Sequence, residues 1–171
     1  MMFGDDASGD FGLGLSDGGV GTGGIYAFDL GEGNIILGVQ PTGSDFTPGD
    51  FVLRFDNSGG AISDQLHVSY TIWCLNNSDR ASSWSFAYAK GSTSEAESDA
   101  IYVPVPALTL ITPLDSDPMP SWHDSANLTT LTDLAATTDE YIYLKWTSDD
   151  VGGSGTRDEC GLDAVVLSVP Q

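Results

Sequence analysis

The sequence predicts an all-β fold, a two-sheet antiparallel β-sandwich of the jelly-roll kind. Three observations carry this expectation. Apolar residues recur at every second position through much of the chain, as they do when a strand buries one face. Clusters of Gly, Asn, Asp and Ser interrupt those runs at short intervals. Helical periodicity of convincing length is missing. Many short strands with frequent turns pack as sandwiches or jelly rolls.

The chain divides into a glycine-rich N-terminal arm, residues 1–20, and a sandwich domain, residues 21–171. Nine of the first 24 residues are glycine, a composition that seldom orders itself. Phe11, Leu13 and Leu15 alternate with glycine, as a strand slotted against a sheet would, and they are the candidate intersubunit contact. Strands are then expected at Ile25–Leu30, Asn34–Val39 and Phe51–Asp56. Leu66, Val68, Tyr70, Ile72 and Cys74 share one strand face, with His67, Ser69, Thr71 and Trp73 on the other. Trp84, Phe86 and Tyr88 alternate with small residues. Ile101–Leu110 and Leu128–Leu134 are further strands, and Ser125–Asp133 is a weak helix-like stretch. Ile142, Leu144 and Trp146 alternate with Tyr141, Tyr143 and Lys145, and the last strand runs from about Leu162 to Val169. The turns are Gly31–Asn34, Asn57–Gly60, Asn76–Asp79 and Gly152–Gly155, where Gly and Asn tolerate positive φ.

At 171 residues with 40% apolar content, the chain is long enough to bury one core. Its apolar runs are a handful of residues, far short of the roughly 20 a membrane helix needs. The opening Met1-Met2-Phe3-Gly4-Asp5-Asp6 is not a signal peptide, so one is expected to be absent or removed. Twenty-five acidic residues against five basic ones give a net charge of −20. A phosphate backbone requires Lys and Arg to displace its counterions, so nucleic-acid binding is excluded. Attraction to an anionic membrane is disfavoured on the same ground. Such a surface suits cations or neutral partners such as glycans, or simply keeps the domain soluble. Cys74 and Cys160 lie 86 residues apart, too far for a clustered thiolate metal site. They form either two buried thiols or one long-range disulfide, which by loop closure would stabilise the fold by roughly 4 kcal/mol. A disulfide fits an oxidising, extracellular setting.

No catalytic apparatus is legible. His67 falls on an outer strand face and His123 follows Trp122 in a proline-rich loop; neither joins a recognisable triad or metal motif. The glycine-rich stretches lack the Lys and the βαβ context of a phosphate loop. Calcium is the one cofactor the residues suggest, because hard cations take carboxylates and loop carbonyls. Asp149, Asp150 and Asp158 flank a glycine-rich loop, and Asp115 and Asp117 form a weaker cluster; both also read as ordinary turn aspartates. Arg157 is expected to pair with a nearby acid. Trp73, Tyr141 and Tyr143 lie on the less apolar parity of their strands, where they would serve a sugar ligand or fill an interface. Asn76 (Asn-Asn-Ser) and Asn127 (Asn-Leu-Thr) satisfy the glycosylation rule.

Several segments in order carry a resemblance. They are Thr22-Gly23-Gly24-Ile25-Tyr26-Ala27-Phe28, Leu37-Gly38-Val39-Gln40, Leu53-Arg54-Phe55-Asp56-Asn57-Ser58-Gly59 and Val68-Ser69-Tyr70. Ser83-Trp84-Ser85-Phe86-Ala87-Tyr88, Leu144-Lys145-Trp146 with Asp149-Asp150, and Gly153–Glu159 with Gly161-Leu162-Asp163 follow. Together they resemble a jelly-roll module of bacterial secreted and surface proteins, of the kind accompanying lamin-tail-like and extracellular nuclease domains. The resemblance spans about residues 20–169 and implies a two-sheet jelly roll serving adhesion, carbohydrate contact or display. Three departures matter. Ala164 stands where a second Asp is usual after Asp163, which weakens any ion site there. Cys74 and Cys160 replace ordinary strand residues, which favours a mutual bond. The N-terminal strand segment is short, which leaves a groove that another subunit could fill.

The expected function is a non-catalytic extracellular structural or adhesive module. It would be a self-assembling surface or filament subunit, a homo-oligomer or polymer joined through its arm. The rival expectation is a calcium-dependent carbohydrate-binding module.

Overall fold

A computed structural model describes residues 13–62 and 64–170; Phe11 of the expected contact lies outside the described residues. Strand makes up 53% of the described residues and helix 4%. Among the described residues the strands are β1 (Leu15–Ser16), β2 (Gly24–Asp29), β3 (Ile35–Gln40), β4 (Gly49–Asp56), β5 (Leu66–Leu75) and β6 (Arg80–Ser92). They continue as β7 (Val103–Pro104), β8 (Leu110–Ile111), β9 (Trp122–Leu131), β10 (Glu140–Gly153) and β11 (Glu159–Ser168). One sheet has the order β1-β2-β3-β11-β5-β9; the second has β4-β10-β6-β7, with β8 also pairing β6. All pairings are antiparallel except β1 with β2. The chain is a two-sheet β-sandwich.

The alternating residues meet where the two sheets face each other. Val68, Tyr70 and Ile72 of the first sheet pack with Trp84, Phe86, Ile142, Leu144 and Trp146 of the second. Tyr70 meets Trp146 edge-on at 5.3 Å between ring centroids, and Phe86 lies 5.4 Å from the same indole. Such tilted and edge contacts suit the ring quadrupoles. Burial pushes the Tyr70 phenol pKa up to about 12.

A second, smaller cluster lies on the outer face of the first sheet. Phe28 is fully buried there, stacked on Tyr26 at 5.3 Å and tilted against Trp122 at 5.1 Å. Glycine makes room for it: a Cβ on Gly38 would sit 2.4 Å from the Phe28 ring. Val20 and Trp73 pack on this cluster, so the arm covers part of an outer face.

Three expectations are corrected. Ile101–Leu110 is not one strand but two short ones separated by a 3-10 turn at Pro106–Leu108. Pro104 and Pro106 cannot donate to a ladder, which explains the break. The helix-like stretch Ser125–Asp133 is strand as far as Leu131, in register with β5 throughout (Ser125↔Ile72, Leu131↔Leu66). That pairing also places His123 in β9 rather than in a loop. Among the described residues no helix is long and apolar enough to cross a membrane.

Candidate functional site

Two regions stand out, an apolar edge and a polar end. At the edge, the chain from Leu13 to Ser16 runs parallel to β2. Leu13 N donates to Ile25 O at 2.8 Å, and Ala27 N donates to Gly14 O at 3.0 Å. The strand expected from the Leu13 and Leu15 alternation therefore lies on its own body. Segment 17–23 then reaches the outer face before re-entering at β2. Trp122 Nε1 donates to Asp17 O at 3.1 Å, and Val20 N donates to Glu159 Oε1 at 2.7 Å. Despite these anchors, Leu13, Leu15, Ile35 and Leu37 are 40%, 65%, 54% and 46% exposed. Ile35 and Leu37 share the parity of core residue Val39, but the facing sheet does not reach over them. With Gly14, Ile25 and Ala27 they line an open groove of about 390 Å³.

The polar end gathers the termini of β3, β5, β6, β10 and β11. Gln40, Asn76, Ser78, Ser82, Thr112, Ser148, Arg157, Asp158 and Glu159 are all buried there. Arg80 grips Asp150 with two bonds, Nε at 2.7 Å and a terminal nitrogen at 2.5 Å, and Arg157 Nε lies 3.5 Å from the same carboxylate. The Arg80 hydrogen bonds hold Asp150 below the usual carboxylate range. Asp158 and Glu159 have no such cation, and burial raises both carboxyls. Asp158 Oδ1 accepts from the Asn77 and Ser78 amides, each at 3.1 Å. Glu159, whose carboxylate holds Val20, acts as a clamp on the arm. Replacing it with Ala is expected to lower hydrogen-exchange protection at the Val20 amide by about tenfold, the loss of one ~1.4 kcal/mol hydrogen bond. Unchanged protection there would remove Glu159 as the anchor.

The structure does not bring the calcium candidates together. Asp149 and Asp150 alternate to opposite sides of β10, Asp150 is taken by two arginines, and Asp149 caps the Asp150 amide at 2.8 Å. Only Asp158 reaches the interior. Asp117 pairs with His123 Nε2 at 3.0 Å, whereas Asp115 is exposed and lends its carbonyl to Asn76. Among the described residues no three His, Cys, Asp or Glu side chains form an ion-holding group. The aromatic candidates lie on opposite outer faces. Trp73 is half-buried on the first sheet, its indole N–H donating to Asp163 at 3.2 Å. Tyr141 and Tyr143 lie on the second; Arg54 sits 4.5 Å over the Tyr141 ring, and Tyr143 is only 1% exposed. The Asn76 amide is buried and bonded to Asp115 O at 3.1 Å, while Asn127 lies half-buried in β9. His67 Nδ1 lies 2.7 Å from Thr130 Oγ1.

Cys74 and Cys160 form a disulfide between directly opposed positions of β5 and β11. Sequence reasoning missed Asn76, Ser82 and Ser148 as companions of Asp158. The available signal was parity: Asn76 follows Cys74 by two, and Asp158 precedes Cys160 by two.

No family model and no curated protein matches the chain. Among solved structures it is similar to the enzymatically active domain of tailspike protein 4 of bacteriophage CBA120, at 9% identity and a TM-score of 0.46. That match covers 85% of this chain and 17% of the other.

Proposed function

We propose that this chain is a non-catalytic extracellular structural module, a surface or filament subunit that associates through the β1–β3 edge of its first sheet. The observation that carries the reading is the row of exposed Leu13, Leu15, Ile35 and Leu37 beside a two-residue edge strand. A contiguous apolar patch at a sheet edge marks an interaction surface. The −20 charge opposes chance aggregation, so contact through this uncharged strip would be selective. Secretion accords with the disulfide. Both histidines make surface hydrogen bonds, His67 with Thr130 and His123 with Asp117 and, at 3.4 Å, Ser121.

We read the sandwich as a jelly roll with two added N-terminal strands. The strand order supports this: β3-β11-β5-β9 faces β4-β10-β6-β7, so successive strands from β3 to β6 alternate sheets, as do β9, β10 and β11.

Light scattering across a concentration series tests the association. The wild type is expected to rise above its 17.9 kDa monomer mass as concentration increases. Leu15→Lys combined with Leu37→Lys is expected to stay monomeric with an unchanged far-ultraviolet spectrum. A wild-type protein that remains monomeric at every concentration would end the proposal.

A further inference from the structure

The polar end holds a concentration of oxygen atoms that the sandwich alone does not explain. Among the described residues, seven of the eleven buried side-chain polar atoms without a hydrogen-bond partner belong to it, whereas buried polar groups are ordinarily satisfied. Four of them, Asp158 Oδ2, Asn76 Oδ1, Ser82 Oγ and Ser148 Oγ, stand on the inward parity of their strands. Asn76 and Asp158 extend the Cys74↔Cys160 and Leu75↔Glu159 pairings by one step, so they face each other across β5 and β11. Ser82 and Ser148 come from β6 and β10 of the opposite sheet, diagonal neighbours through the pairs Trp84↔Ser148 and Ser82↔Asp150. The four residues are at most 4% exposed.

We propose that these residues bind a hard divalent cation of the calcium class between the two sheets. The donors are all oxygens, as such an ion requires, and a carboxylate, an amide carbonyl and hydroxyls can close on it at about 2.3–2.6 Å. Thr112 supplies a fifth oxygen at the same place: its hydroxyl accepts from Ser82 N at 2.9 Å and lies against the Asp158 carboxyl. Asp117, whose carboxylate pairs with His123 at 3.0 Å, adds negative potential at Asp158, and its amide donates to Asn76 O at 3.0 Å. Both arginines of this end face Asp150, Arg80 through two hydrogen bonds and Arg157 as an ion pair at 3.5 Å. A buried carboxylate without a cationic partner is costly, and an ion removes that cost. A cavity of about 310 Å³ opens beside Asn76, Thr112 and Asp117, on the Asn76 side of the group. The inference does not depend on association through the apolar edge.

Terbium, a luminescent substitute for calcium, tests it on the intact chain. Trp84 and Trp146 pair with or neighbour Ser148 along their strands, close enough to sensitise its emission. Saturable tryptophan-sensitised emission is expected, displaced by calcium at about 10⁻⁴–10⁻³ M and lost in Asp158→Asn. Calcium is expected to raise the thermal midpoint of the wild type but not of that variant. The surface variant Asp149→Asn should retain both responses. Should Asp158→Asn fail to fold, Asn76→Ala is read for loss of the same signals. No calcium-dependent midpoint shift in the wild type, or emission that survives both inward substitutions, would overturn the site and leave water or a protonated Asp158 to fill the space.

Discussion

Replacing Trp146 with alanine is expected to destabilise the domain by about 4 kcal/mol, read as a lower urea midpoint at unchanged slope. The indole is 1% exposed and sits in β10, which pairs on both sides with β4 and β6. Tyr70 from the opposite sheet and Phe86 from the neighbouring strand close on it at 5.3 and 5.4 Å. Neither ring can move inward without losing its own contacts, so the space stays largely open. The indole N–H has no hydrogen-bond partner, which already subtracts from what the side chain contributes. Trp146→Phe removes that orphaned donor while keeping a ring, so it should cost much less than alanine. If alanine and phenylalanine cost the same, the ring contacts are not the source of stability. A loss below about 1 kcal/mol for alanine would mean the sheets do not close over this position.

The same residues show why the strand pattern was legible. Val68, Tyr70, Ile72 and Ile142, Leu144, Trp146 announce a buried face because parity along a strand is a local property of the backbone. Legibility ends where burial comes from segments far away in sequence. Tyr143 has outward parity, yet Arg54 from β4 and the 95–102 segment crowd that face; Tyr102 hydrogen-bonds Glu97 and lies over Lys145 at 4.1 Å. Ala164 adopts φ 47° in a bulge between Asp163 and Val166. The bulge shifts the inward parity from Leu162 to Val165 and Leu167, a slip that reading every second residue does not anticipate. Aspartate spacing suggested an ion loop at Asp149, Asp150 and Asp158 because the sequence shows carboxylates but not their partners. Arg80, 70 residues from Asp150, decides that carboxylate's role, and only the fold brings the two together. Ser82 and Ser148 look like ordinary strand residues until β6 and β10 are aligned.

Removing the disulfide is the second large effect. A Cys74→Ala, Cys160→Ala protein is expected to lose roughly 4 kcal/mol, since the bond closes a loop of 86 residues. The loop holds β6 to β10, four of the five strands of the second sheet together with β9 of the first. In the unfolded chain the bond keeps the two halves of the first sheet near each other, which is where most of its effect is exerted. In the folded chain β5 and β11 remain paired along most of their length without it. The variant should therefore keep its far-ultraviolet spectrum while its urea midpoint falls, and alanine avoids burying two unpaired hydroxyls. An unchanged midpoint would show that the unfolded chain already holds these strands together. The bond is also the rung next to Asn76 and Asp158 on the same inward face. Freeing that rung relaxes the spacing of the two strand ends whose oxygens face each other. The double variant should accordingly bind terbium more weakly than the wild type at a temperature where both are folded, which ties the covalent link to the geometry of the polar end.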